Sequence, residues 1–186
     1  MPNYRRAIVP GGCWFFTINL LDRRKTLLVE HIGALRHVVT RARQKLPFRI
    51  DAIVVLPDHL HAIWTLPPGD ADFSSRWRLI KSGFARALPK LERLSPVRIA
   101  RNERGIWQRR FWEHLIRDEA DYARHIEYCY INPMKHGLVK RVRDWPHSSF
   151  HRDVRAGLVP LDWAGELEQN GDFGERGDAE GGLGER

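Results

Sequence analysis

Two short apolar runs split by a proline-aspartate pair limit the folds open to this chain more than any other feature. Residues 48–56 and 59–66 are rich in Ile, Val, Phe and Trp, and Pro57-Asp58 between them breaks the extended chain in a tight turn. The segment reads as a β-hairpin. Upstream, Pro10-Gly11-Gly12 precedes residues 13–20 (CWFFTINL), whose aromatic and β-branched composition suits a first strand. From 26 to 45, Leu28, Ile32, Leu35, Val38 and Val39 recur at helical intervals, with Arg41, Arg43 and Lys45 in the last turn where the macrodipole favours cations. Residues 74–88 form a second helix: Trp77, Ile80 and Phe84 share an apolar stripe, while Arg78, Ser82, Arg86 and Lys90 follow one another at i, i+4 on another side. A polar connector carrying Arg98, Arg101 and Arg104 leads to a strand over 106–117. Asp118 then caps a helix running to Ile131, which Asn132-Pro133 ends because a residue before proline is pushed out of the α region. The order strand, helix, strand, strand, helix, strand, helix predicts an α+β protein, a ferredoxin-like antiparallel sheet with helices packed on it.

A length of 186 residues suits one domain, and 42% hydrophobic residues are enough for a sizeable core. Charge is distributed unevenly. The formal net charge is +8, but residues 164–186 hold seven acids and two bases, so residues 1–163 carry +13. A surplus of that size on a small domain points to a polyanion, since each Lys or Arg set against a phosphate releases condensed counterions. Residues 1–163 are expected to be the folded domain, with a basic N-terminal arm and short elements at its C-terminal end. Residues 164–186, acidic with seven glycines, are expected to be a disordered tail able to fold back over the basic surface. No stretch approaches the roughly 20 apolar residues of a spanning helix, and the N-terminus lacks the apolar core of a secretory signal. The reading is therefore cytoplasmic, beside the nucleoid. Cys13 and Cys129 cannot make a disulfide framework and read as reduced core thiols.

Two local patterns could carry chemistry. His59-Leu60-His61 opens a strand, where residues at i and i+2 point to one face, so two imidazoles could converge on one metal ion; an ordinary hydrogen-bonded pair fits the same spacing. In the last helix Tyr122, Ile126 and Cys129 form one stripe, and Asp121, His125, Tyr128 and Asn132 a separate polar one. Tyr128 and Asn132 are one turn apart, which could present a phenol nucleophile beside an amide oxygen. They could equally be an edge tyrosine and a helix stop.

These blocks together resemble a known family. Residues 56–64 (LPDHLHAIW) look like the His-hydrophobe-His (HUH) motif of single-tyrosine transposases. Residues 107–114 (WQRRFWEH) and 124–139 (RHIEYCYINPMKHGLV) resemble the REP-associated branch of that superfamily. Tyr4-Arg5-Arg6, Arg76-Trp77-Arg78 and Trp145-Pro146-His147-Ser148-Ser149 also match, and the likeness spans residues 3–150. It implies the HUH fold, with His59 and His61 binding a divalent cation and a third ligand one turn after the nucleophilic tyrosine. Of four tyrosines only Tyr128 has a ligand-capable residue, Asn132, at i+4, and it occupies the family's place four residues before Asn-Pro.

What the resemblance implies is metal-dependent cleavage and strand transfer of single-stranded DNA through a 5′-phosphotyrosine link, on REP-type hairpins with a flanking guide sequence. The cation is expected to be Mg²⁺, with Mn²⁺ the other option, and the protein to act as a monomer. His125, Lys135 and His136 are near enough in sequence to help Tyr128 ionise. Arg78, Lys81, Arg86, Arg109, Arg110 and Lys135 are the candidate DNA contacts, with Trp14, Trp107 and Trp112 available to stack bases. Two other readings stay open: a hairpin-binding module without chemistry, and a metal-dependent hydrolase. The second suffers from Ala62-Ile63-Trp64, which supplies no further ligand after the histidines.

Overall fold

The computed structural model describes residues 7–90, 94–101, 103–165 and 173–174. Four strands form one sheet: β1 (Cys13–Asn19), β2 (Arg49–Val55), β3 (His59–Thr65) and β4 (Trp112–Leu115), in the order β2-β3-β1-β4 with every neighbouring pair antiparallel. The expected hairpin is β2-β3, and Pro57-Asp58 is its turn; the Asp58 carbonyl also accepts the Leu20 N–H at 2.8 Å, tying the turn to the end of β1. The helices are α1 (Leu27–Glu30), α2 (Ile32–Lys45), α3 (Phe73–Ala87), α4 (Pro96–Ala100), α5 (Glu119–Lys135) and α6 (Phe150–Arg155). The architecture is the α+β one expected.

Both faces of the sheet are covered, each by its own core. Trp14, Phe16 and Ile18 of β1 and Leu60, Ala62 and Trp64 of β3 point to α2 and α3, where Trp77, Ile80 and Phe84 meet them. The alternate residues, including Phe15 of β1, Ala52 and Val54 of β2 and Ile63 of β3, pack beneath α5 with Tyr128, Cys129 and Tyr130. Burial on two sides explains why the strands read as nearly continuous apolar runs. The largest buried cation belongs to the first layer: Arg76, 1% exposed, bonds Asp70, the Asp72 carbonyl and the Pro47 carbonyl, joining α3 to the chain before β2.

Four expectations need correction. The helix over 26–45 is two, because His31 leaves helical geometry (φ −111°, ψ 34°) between α1 and α2. The strand over 106–117 shrinks to β4. Residues 106–108 instead cross the end of the sheet, with Gln108 N–H bonding the Asn19 carbonyl (3.0 Å) and Leu21 N–H the Ile106 carbonyl (2.9 Å), so that Ile106 and Trp107 seal the core. The connector before it contains the short helix α4.

The last helix does not stop at Asn132-Pro133 but runs to Lys135 with Pro133 inside it. A proline there removes one backbone bond and crowds the carbonyl one turn back, an interior cost of about 3 kcal/mol. Burial of Ile131, Asn132 and Pro133 keeps the helix going, and Gly137 at φ 67° ends it in the left-handed conformation that L side chains resist. Most of the expected tail, 164–186, lies outside the described residues, as does the arm through Arg6.

Candidate active site

Strand pairing builds the site. In the β1-β3 register Thr17 faces His61 and Asn19 faces His59, so both histidines lie on the α5 side of the sheet, at most 1% exposed. Each ring is held by its Nδ1 atom. His59 Nδ1 lies 2.7 Å from Asp58 Oδ1, a carboxylate that also receives Arg23 Nε at 2.5 Å. Burial opposes the Asp58 charge, but the His59 and Arg23 hydrogen bonds outweigh it and hold the carboxyl down at about 2. His61 Nδ1 lies 2.9 Å from Thr17 Oγ1, whose single proton goes to the Phe173 carbonyl at 2.5 Å. Thr17 can therefore only accept from His61, which fixes the Nδ1–H tautomer. Both rings thus turn Nε2 away from these partners, the arrangement in which an oxygen bonded to Nδ1 orients a metal-ligating imidazole.

Helix α5 lays the polar stripe of the sequence against these rings. Tyr128, 1% exposed, meets His61 edge-on with ring centroids 5.1 Å apart, and His136 meets His59 at 5.0 Å. Asn132 stands one turn after Tyr128 and one turn before His136 on the same face, fully buried. The donor set of two imidazoles and an amide, with nothing but neutral ligands, suits a divalent ion that keeps open positions for an anionic substrate. Lys135 reaches back to the phenol: its Nζ is 3.2 Å from the Tyr128 hydroxyl and 4.8 Å from the ring centroid. Phe173 stacks on the same ring at 3.7 Å and 9°.

Comparison with protein-family models finds no match. The chain is 52% identical over 167 residues to the REP-associated tyrosine transposase of Escherichia coli (strain K12), covering 90% of this chain and 93% of that one. Its structure matches that of a REP-associated tyrosine transposase solved bound to a REP hairpin, with a TM-score of 0.82 and 51% identity over 95% of this chain and 98% of the other. The chain belongs to the REP-associated tyrosine transposases.

In this transposase the candidate DNA contacts fall in three places. Arg78, Lys81, Arg86 and Arg109 line one open groove of about 980 Å³ between α3 and residues 101–111, with Lys90, Arg101 and Arg104. It lies on the α3 side of the sheet, across from Tyr128. Lys81 is occupied within it, bonding the Gln108 carbonyl at 2.7 Å, and Arg109 pairs with Glu103 at 3.0 Å; Arg78 and Arg86 are exposed. Arg110 is exposed outside the groove, and Lys135 is on the tyrosine. The tryptophans named as stacking platforms are corrected: Trp14 packs on Phe73 with 2% exposure, and Trp107 is buried with its indole N–H on the Lys81 carbonyl; only Trp112 is half-buried.

His125 does not meet the phenol hydroxyl through Nδ1, which bonds the Asp121 carbonyl at 2.7 Å. It belongs to a cluster with His114 and Asp121 whose ligand-type atoms lie within 4.8 Å of one another, close enough to surround a metal ion. Here the Asp121 oxygens are met by His114 Nε2 (2.8 Å), Arg117 N–H (3.0 Å) and Arg124 (3.2 Å). Burial works against the Asp121 charge, yet these donors bring its carboxyl down to about 2. Burial, which disfavours the charged imidazolium, lowers the pKa of His125. Phe15 packs between His125 and His61, linking this knot to the tyrosine site. Sequence reasoning missed Asp58, Thr17, His114 and Phe173 as parts of the site. Asp58 alone had a local signal, as the acid adjoining the His-x-His pair.

Among the described residues no helix is long and apolar enough to cross a membrane.

Proposed function

We propose that this transposase cuts and rejoins single-stranded DNA beside a hairpin, with Tyr128 as nucleophile. The observation that carries the reading is the edge contact between Tyr128 and His61 on a face that also holds His59 and Asn132. His59, His61 and Asn132 would hold a divalent cation, Mg²⁺ or Mn²⁺, which when bound withdraws charge from the scissile phosphate. Asp58 and Thr17 hold the two imidazoles in the tautomer that ligation needs. Burial in the α5-sheet layer fixes the Tyr128 ring and limits water around it, so attack is confined to a phosphate placed beside its hydroxyl. The product is a 5′-phosphotyrosine with a free 3′-hydroxyl on the other fragment, which conserves the bond for rejoining.

The exposed cations of the groove, Arg78 and Arg86 first, would take the phosphates of the hairpin. The strand leading to Tyr128 would then pass round the end of the sheet where Arg23 and Arg109 lie. A single chain carries all the side chains this scheme uses, and we read it as working as a monomer. The test is a labelled REP-type hairpin with a single-stranded flank, incubated with protein and Mg²⁺ or Mn²⁺ and denatured. A covalent adduct that vanishes in Tyr128→Phe and in His61→Ala is expected. An adduct that persists in Tyr128→Phe would overturn the assignment, and tight binding with no adduct would make this a binding module.

A further inference from the structure

We infer that Lys135 is a catalytic residue of the strand transfer, placed to stabilise the Tyr128 oxygen as it leaves phosphorus. The inference rests on the reading of Tyr128 as the nucleophile. Lys135 comes two helical turns after Tyr128, and residues seven apart share a helix face. Helical side chains lean toward the N-terminus, so a long, flexible lysine on the last turn reaches back over the tyrosine. Its ammonium ends 3.2 Å from the hydroxyl and 4.8 Å from the ring centroid, touching the reacting atom directly. A lysine serving only to offset the helix dipole would direct its ammonium at the terminal carbonyls or into water. The other two candidates go elsewhere: His125 Nδ1 to the Asp121 carbonyl, and the His136 ring to His59.

In cleavage the Tyr128 proton leaves to water, the Oη–P bond forms, the P–O3′ bond breaks, and O3′ takes a proton from water. In rejoining the 3′-hydroxyl loses its proton to water, the O3′–P bond forms and the Oη–P bond breaks. The electron pair stays on Oη, which carries the developing charge until it takes a proton from water. A donor already aimed at that oxygen lowers the barrier to its departure, and removal of one such donor typically slows reaction about 100-fold. In the DNA-free fold the same hydrogen bond holds the phenol in place.

The experiment uses the full-length protein with a hairpin substrate and measures adduct formation and, after adding the 3′-hydroxyl strand, adduct resolution. Lys135→Met is expected to slow resolution about 100-fold, with hairpin affinity within a few-fold of the parent, and Lys135→Arg to recover part of the loss. Replacing Tyr128 by 2,3-difluorotyrosine, whose ring spreads negative charge by itself, is expected to shrink the penalty of Lys135→Met. Parental resolution rates in Lys135→Met would overturn the role. So would a loss that fluorination leaves unchanged, or one that follows weakened hairpin binding, which would make Lys135 a structural or DNA-backbone residue. No adduct in the parent protein would overturn the tyrosine reading itself.

Discussion

At the residue scale the site depends on small oxygen acceptors behind its larger groups. Asp58 and Thr17 each take the Nδ1 proton of one histidine, and neither faces the space over Nε2. Loss of such a partner typically costs 10–100-fold in metal affinity. Asp58→Asn is therefore expected to weaken Mn²⁺ binding by about that factor, read by titration calorimetry, while the fold is retained. Asp121 makes a prediction about pH. Its carboxyl is held at about 2 in the folded protein against 3.8 for the free group, so the stability it contributes is present above about 4 and is lost as pH falls toward 2. Acid unfolding followed by circular dichroism should therefore be steeper in the parent than in Asp121→Asn over that window. The presence of two histidines and a tyrosine with an amide at i+4 was legible from local spacing alone. Thr17 was not, because its place opposite His61 depends on the pairing of strands 44 residues apart.

At the element scale, α5 carries Tyr128, the proposed nucleophile, and α3 lines the basic groove, and the two are anchored in different ways. Helix α3 begins with Asp72 accepting the Ser75 N–H at 2.9 Å, and is pinned by Arg76. Asp70→Asn would leave a guanidinium with 1% exposure on its two backbone carbonyls and without its part-exposed carboxylate, a loss of about 1–3 kcal/mol, the cost of an under-satisfied buried donor. Urea unfolding should read it as a lower midpoint with unchanged slope. Helix α5 defeats the local stop signal at Pro133, since the buried residues around it contribute more than one missing bond removes. The strand expected over 106–117 failed for a related reason: Ile106 and Trp107 have strand composition, but they are used to close the end of the core.

At the scale of the whole molecule, the proposed tyrosine site and the basic groove lie on opposite faces of one sheet. A hairpin held at Arg78 and Arg86 should bind with a log-log salt slope that becomes about one unit shallower for each of Arg78→Ala and Arg86→Ala. Adduct formation on a pre-bound substrate would be little changed. The described part of the C-terminal region comes to the other face, where Phe173 stacks on Tyr128 and its carbonyl takes the Thr17 hydroxyl. Phe173 covers the phenol, while the acidic residues of the segment expected over the basic surface lie outside the described residues. Phe173→Ala is expected to raise the initial rate of adduct formation several-fold, and an unchanged or lower rate would show that Phe173 supports the ring.

Local spacing set the order of the four strands and the three longest helices, the shared face of His59 and His61, and the one-turn spacing of Tyr128 and Asn132. Those properties follow from periods of two and 3.6 residues, which neighbours along the chain set. Long-range packing decided that Thr17 would orient His61, that Lys135 would fold back onto Tyr128, that Phe173 would lie on its ring and that the basic groove would open on the far face. Each depends on which distant surfaces pack together, and packing is chosen by burial over the whole chain rather than by any local pattern.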